Sequence, residues 1–431
     1  MHGVHKVVAP AVTAWALLAA CEQPDRITRA EARPQYANQG GEFDFTALAA
    51  SATCRTPSTD PTYLPFDLAE GYGQEVIATE IDDFRPAAGN GGDLPDMLTL
   101  NETGAQAGRY LYRTHEVGSN GAVTVTDLVT GGTRLVTQAP HYEALDGLVW
   151  TAWQTILFAE ERIVAALKDP QVPNAVGGLV YEHDPATGIT RPLPAVGARS
   201  HEGLRFDPQG SLYGISESTP GVNGSGAIYK FVPDQPGDLT AGQLYALKVL
   251  DAATRTGKAV WIPLDRAAVQ VNSDAEAIRV GATGWGRPED VEIGTSTGAA
   301  AGGQQVMYVA MTSEDLVVRI ELNGDEAFVT NYVQEGVNVS GLDSPDNLAL
   351  DPFGNLYIAE DNGPGDIWVA RVGHPDRRVT ESVARFASLS DCSGEPTGIY
   401  FDRSGGTLFV QVQHAGGTAR NDLTMMIRRT H

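Results

Sequence analysis

The stretch DNLALDPFGNLYIAEDN, Asp346 to Asn362, decides how the rest of the chain is read. Two short apolar strands flank Asp351-Pro352-Phe353-Gly354, where aspartate and proline pre-set a tight turn and glycine supplies positive φ. The same plan returns in HEGLRFDPQGSLYGISE, His201 to Glu217, and in EPTGIYFDRSGGTLFVQVQH, Glu395 to His414. A hairpin has its turn at one end and its two outer termini at the other, so the residue opening the first strand neighbours the residue closing the second. Those positions are repeatedly acidic. Asp346 and Asp361, Glu202 and Glu217, and Asp146 and Glu161 each stand fifteen residues apart. Glu289-Asp290 with Glu314-Asp315, and Glu395 with Gln413-His414, are looser versions, and Glu116 closes a strand over Tyr110–Arg113.

One such pair means little, because strand ends are wet and tolerate carboxylates. Five or six in a common register point to hairpins arranged radially, with all their mouths at one end of a channel. That is an all-β fold, a β-propeller of five or six blades between Met97 and His414. Carboxylates gathered there repel one another unless cations neutralise them, so the arrangement predicts bound metal, with hard oxygen ligands suited to calcium.

Composition agrees. The chain has 431 residues, 48 glycines and 7% aromatics, suited to short strands and many turns. A formal net charge of −24 repels a phosphate backbone and argues against nucleic-acid binding. The span Asp251–Gly286 exceeds a blade connection and is expected on a face or rim, with a helix near Ser273–Val280. Residues 1–20 read as a signal peptide: Lys6, the apolar run Val7–Ala20, then Leu18-Ala19-Ala20-Cys21, a pattern similar to a bacterial lipoprotein signal with lipidation at Cys21. A plain secretory signal is the alternative. Residues 21–58 read as a tether and 59–431 as the propeller domain. The expected product is an exported, lipid-anchored monomer, periplasmic or at the cell surface, touching the membrane only through its anchor. Cys54 and Cys392 are either a disulfide or two thiols.

Several phrases, in order, resemble the PhoX alkaline phosphatase family: Ser200-His201-Glu202-Gly203, Ile228–Asp234, Gly281-Ala282-Thr283 with Arg287-Pro288-Glu289-Asp290, Ser344–Pro352, Gly354–Tyr357, and Glu395-Pro396-Thr397-Gly398 leading to Val412-Gln413-His414. The resemblance implies a six-bladed propeller and a calcium-dependent phosphomonoesterase acting on a small-molecule phosphate ester. It also implies calcium beside an oxo-bridged ferric pair, with one cysteine on iron. Aligned on Trp153 and Glu160-Glu161, that cysteine falls on Asp146. A hard carboxylate there suits calcium, magnesium or manganese better than a thiolate's softer partners, which puts iron in doubt.

The candidate metal ligands are Glu116, Asp146, Glu161, Glu202, Glu217, Glu289, Asp290, Asp346 and Asp361. Arg287 is the candidate phosphate clamp, since a guanidinium binds phosphate bidentately, or else a structural ion pair. His201 is a candidate catalytic histidine; it and His414 either serve the metals or are satisfied core histidines. Glu160, Glu314 and Glu360 are expected at solvent or behind the ligands. Two other functions fit the residues: a gluconolactonase-like calcium hydrolase, and a non-catalytic calcium-stabilised propeller that binds a partner at the cell surface.

Overall fold

The computed structural model describes residues 45–51, 64–84, 94–219, 226–295, 304–371, 378, 380, 382–415 and 422–430. The signal segment, Cys21 and Cys54 lie outside them. The described chain is all-β and propeller-like, built from antiparallel sheets joined by short turns. Among the described residues no helix is long and apolar enough to cross a membrane.

Five sheets contain the strands. One four-stranded sheet runs Pro95–Leu100, Tyr110–His115, Ala122–Asp127 and Thr133–Gln138; a second runs Leu145–Trp150, Ile156–Glu160, Val180–Asp184 and Ile189–Pro192. A nine-stranded sheet holds two antiparallel four-strand runs, from His201–Phe206 to Asp238–Val249 and from Pro288–Thr295 to Glu326–Gln334. They are welded by Gly257–Pro263, which pairs on both sides. A five-stranded sheet starts at Pro345–Leu350 and ends with the N-terminal strand Phe66–Leu68 on its outer edge. In the last sheet Tyr72–Thr79 pairs with Leu423–Arg429, so the two ends of the described chain close one sheet.

The first strands of the successive runs pack against one another in a cycle. Pro95–Leu100 touches Leu145–Trp150, which touches His201–Phe206, then Pro288–Thr295, Pro345–Leu350, Glu395–Phe401 and back to Pro95–Leu100. Between sheets the faces are apolar. Ile367, Val369 and Phe386 of one sheet meet Ile399, Val410 and Met425 of the next, all essentially buried. Burying each such side chain contributes roughly 1.5–3 kcal/mol.

The insertion between Gly257–Pro263 and Pro288–Thr295 carries helix α1, Val269–Val280. It covers the expected Ser273–Val280 helix. Asn272 leaves helical geometry at φ −161°, ψ 101°, and its Oδ1 accepts the Ala275 N–H at 2.9 Å, capping the longer part of α1. Val280 and Ala282 pack against the apolar cluster that includes Leu204 and Tyr229, which seats the insertion on the sheet.

Candidate metal centre

Each first strand of the cycle begins in the same way. Pro95 pairs with His115, Leu145 with Glu160, His201 with Ser216, Pro288 with Met311, Pro345 with Glu360 and Glu395 with Gln413. In every case the register then slips within the next few residues. A β-bulge bends its strand and re-aims a side chain. Here the residue at or beside the slip is Asp96, Asp146, Glu202, Glu289, Asp346 or Pro396, so five of the six are acidic. The residue closing each second strand is Glu116, Glu161, Glu217, Thr312, Asp361 or His414. In five hairpins its N–H donates to the carbonyl of the residue two before the first acid. Glu116 reaches Leu94 at 2.9 Å, Glu161 reaches Ala144 at 2.9 Å, Glu217 reaches Ser200 at 3.2 Å, Thr312 reaches Arg287 at 2.9 Å and Asp361 reaches Ser344 at 2.9 Å. Leu94, Ala144, Arg287 and Ser344 hold positive φ of 31°, 39°, 48° and 52°. Non-glycine residues adopt that conformation at a cost of about 1–3 kcal/mol each, which the surrounding structure must offset.

The carboxylates meet across the hairpins. Single ligand oxygens of Glu161, Glu202 and Glu217 lie within 4.8 Å of one another. Asp146 hydrogen-bonds Glu202, Glu116 hydrogen-bonds Glu161, and Gln413 Nε2 donates to Glu116 Oε2 at 2.6 Å. Burial, then the facing acids, push Asp96, Glu116, Glu161, Glu202 and Asp346 well above the ordinary carboxylate range. For Glu202 the acid that follows burial is Asp146, and for Asp346 it is Glu289. Buried Asp146 Oδ1 and Glu161 Oε2 have no hydrogen-bond partner. Unpartnered carboxylate oxygens in a partly buried cluster fit a hard cation, which takes oxygen ligands and relieves the repulsion.

Two guanidinium groups face this cluster: Arg162 Nε lies 3.7 Å from Glu161 Oε1, and Arg287 makes the closer contacts. Arg287 Nε donates to Glu217 Oε1 at 3.0 Å, and its Nη2 lies 2.8 Å from Glu289 and 3.6 Å from Asp361. Burial works against its charge, but Glu289, Glu217, Asp361 and Asp346 outweigh it and hold the group protonated. Arg287 thus ties together carboxylates from three hairpins.

Of the nine acids expected as ligands, eight come together: Glu116, Asp146, Glu161, Glu202, Glu217, Glu289, Asp346 and Asp361. Asp290 does not join them. The bulge turns it between strands, where its oxygens accept the N–H groups of Val291 at 2.7 Å and Leu348 at 2.9 Å, with Arg205 at 3.9 Å. Burial raises its pKa to about 7. His201 also stands apart. It is fully buried with Nε2 2.8 Å from the Gly197 carbonyl, and burial followed by the nearby Arg199 charge pushes its pKa down. That is a core histidine held neutral, not a group facing the acids. His414 lies at the mouth, 3.3 Å from Glu395.

The fourth hairpin is closed by Thr312. Glu314 instead binds both Arg255 and the Gly286 N–H, and Asp315 accepts the Ser344 N–H. Glu160 and Glu360, expected at solvent or behind the ligands, are buried. Glu160 accepts the Leu179 N–H, and Glu360 accepts Asp343 N, Asp366 N and Trp368 Nε1. Asp96 was not anticipated, although Pro95-Asp96-Met97-Leu98 mirrors Pro345-Asp346-Asn347-Leu348. The longer loop Asn101–Arg109 stretches its hairpin beyond the fifteen-residue spacing. Cys392, the cysteine among the described residues, is disulfide-bonded to a partner outside them and offers no thiolate to the cluster.

The structure of Pseudomonas fluorescens PhoX in complex with vanadate, a transition state analogue, superimposes with a TM-score of 0.63 at 17% identity, covering 89% of this chain and 98% of that one. A β-propeller domain of Cps50 (Swd1) from Myceliophteria thermophila gives 0.43 at 12% identity, covering 80% and 99%, and hydrazine synthase from Kuenenia stuttgartiensis gives 0.43 at 12%, covering 79% and 96%. These last two scores are too low to inform function. A search of curated proteins finds no match. The model of alkaline phosphatase PhoX matches residues 150–331 and 318–416, more than half of the sequence. The chain belongs to the PhoX alkaline phosphatase family.

Proposed function

We propose that this chain is an exported phosphomonoesterase that releases inorganic phosphate at metals held by the mouth carboxylates of a six-bladed propeller. The observation that carries the reading is the convergence of eight anticipated acids, with Asp96, at one mouth, where Arg287 ties three of them together. Family membership supports the phosphatase chemistry. The closed cycle of six first strands supports the blade count, the welded nine-stranded sheet being read as two blades. The pattern Leu18-Ala19-Ala20-Cys21 supports export and lipidation.

The residues present fit calcium. Glu161, Glu202 and Glu217 would hold one ion, and Asp146, Glu116 and Asp96 extend the donor set on the same side. Bound metals supply Lewis acidity to a phosphoryl oxygen and lower the pKa of a water nucleophile. The chain's own residues do the rest. The bulges fix each carboxylate's direction, and Arg287 offers a planar donor pair to a phosphate. For Arg287 to meet a phosphate, its carboxylate partners must turn to metal.

A second reading keeps the calcium and drops the catalysis. It is favoured by Asp146, which stands where the resemblance places the iron-binding cysteine. Hydrolysis of p-nitrophenyl phosphate, measured with calcium and after chelation, alongside elemental analysis, separates the two. Calcium-dependent release supports the phosphatase. Calcium uptake without hydrolysis supports the binding propeller, and no uptake at all overturns both.

A further inference from the structure

Helix α1 sends one carboxylate into the sheet beneath the mouth. Asp274, 4% exposed, accepts the Ser216 hydroxyl at 2.8 Å and the Ser218 hydroxyl at 3.2 Å on one oxygen, and the Tyr229 hydroxyl at 2.6 Å on the other. Ser216 and Ser218 flank Glu217, one of the three acids that converge within 4.8 Å. Tyr229 is fully buried, and the Arg199 guanidinium stacks 4.2 Å over its ring. Arg199 is fixed in turn by the carbonyls of Ile215 at 3.0 Å and Val196 at 2.9 Å.

The helix is itself anchored at this point. Ser273 Oγ donates to the Ala198 carbonyl at 3.0 Å, as does its N–H at 2.8 Å, and the Val176 N–H donates to Val271. Asn272 caps the helix just before Asp274, which places the carboxylate in the first turn, where the helix dipole favours an anion. Both carboxylate oxygens of Asp274 are therefore engaged by hydroxyls of the sheet, and two of its three partners bracket a candidate ligand.

We infer that Asp274 is a positioning residue for cation binding: through Ser216 and Ser218 it sets the direction of Glu217 at the mouth. This rests on the reading of the mouth as a cation site. Holding both of its chain neighbours fixes the backbone at Glu217, and so the direction in which its side chain leaves the strand, before the ion arrives, while Arg287 contacts the carboxylate itself. The insertion from Asp251 to Gly286 then has a purpose beyond covering a rim, since α1 reaches the metal ligand across one layer of hydrogen bonds. Partners behind metal ligands typically alter metal affinity by about 10–100-fold.

The test is calcium titration by calorimetry of the full chain, stripped of metal, as wild type, Asp274→Ala, Asp274→Asn, Glu217→Gln and the Asp274→Ala/Glu217→Gln double variant. Asp274→Ala should weaken calcium binding about tenfold or more. Asp274→Asn, which keeps an oxygen acceptor, should recover part of the loss. In the Glu217→Gln background the Asp274→Ala change should have little further effect, because its influence runs through Glu217. Should Asp274→Ala fail to fold, Ser216→Ala/Ser218→Ala removes the two hydroxyls, keeps Asp274, and should give the same loss. Unchanged affinity, or equal losses in both backgrounds, would show a purely structural role and overturn the inference. If the wild type takes up no calcium, the mouth is not a cation site and the functional reading falls with it.

Discussion

Arg287 governs the charge balance of the mouth. Its guanidinium stands against three carboxylates, and its own backbone sits in the left-handed region at φ 48°. Arg287→Ala should lower the melting temperature of chelated protein, because Glu217, Glu289 and Asp361 are left facing one another, and calcium should close most of that gap. The side chain is 37% exposed, so solvent screens part of the effect. In the phosphatase assay the same variant should lose about 100-fold or more in kcat/KM, the scale of removing one preorganised donor to a developing oxyanion. Arg287→Lys should not restore it, since a point charge lacks the planar fork. An Arg287→Ala enzyme with full activity would show that the residue is only an ion-pair partner. Asp146 carries a second residue-scale prediction. Its Oδ1 is buried without a partner, and Asp146→Cys supplies a soft thiolate in the same place. Iron content by elemental analysis should rise in the variant, and wild type already holding two irons per chain would show that the carboxylate is no obstacle.

At the scale of the element, the hairpin is the unit that makes the site, and its bulge is the part that aims it. The fifteen-residue spacing, the turn residues and the acidic mouths are local chemistry, so the pairs 146/161, 202/217 and 346/361 were legible in the sequence. The bulge was not. It separates Glu289, which reaches the cluster, from adjacent Asp290, which caps the backbone of a neighbouring strand. Nothing in Pro288-Glu289-Asp290 distinguishes the two carboxylates before the strands are paired. The same limit hid Thr312 behind Glu314-Asp315, and a loop insertion hid Asp96. His201 could not be assigned between the metals and the core for a related reason, because beside a bulge the two-residue alternation no longer says which side chain faces the channel. Close packing of the first strands accompanies these bulges. A Cβ at Gly147 would overlap the Glu202 carbonyl, with no flexible side chain to give way. Gly147→Ala should therefore cost about 1–3 kcal/mol in chemical denaturation and also weaken calcium binding by shifting Glu202. A variant of wild-type stability would mean that the strands have room to separate.

The whole molecule stores acid. With a net charge of −24, it concentrates buried carboxylates behind and around one mouth, and closes the structure by pairing Tyr72–Thr79 with Leu423–Arg429. Burial pushes Glu160 and Glu360 up to about 8, and burial followed by Asp361 does the same for Glu395. These groups therefore bind more protons folded than unfolded between the ordinary glutamate value of about 4.3 and their raised values. Stability falls with rising pH wherever the native state binds the extra protons. Metal-free protein should accordingly lose stability from about pH 4.5 to pH 8, by as much as about 1.4 kcal/mol per pH unit for each such group. Calcium offsets only the part of the trend that arises at the mouth, because a cation binds ionised carboxylates there and competes with protons for them, while Glu160 and Glu360, hydrogen-bonded to Leu179 N–H and to Asp343 N–H, Asp366 N–H and Trp368, titrate with or without it. At a hundredfold excess over Kd one calcium adds about 2.7 kcal/mol. Melting temperatures measured across this pH range, with chelator and with calcium, should diverge as pH rises, the chelated series falling more steeply than the calcium series. Parallel series would mean that the ionised mouth gains nothing from the ion, and that its carboxylates are balanced by Arg287, Arg162 and solvent.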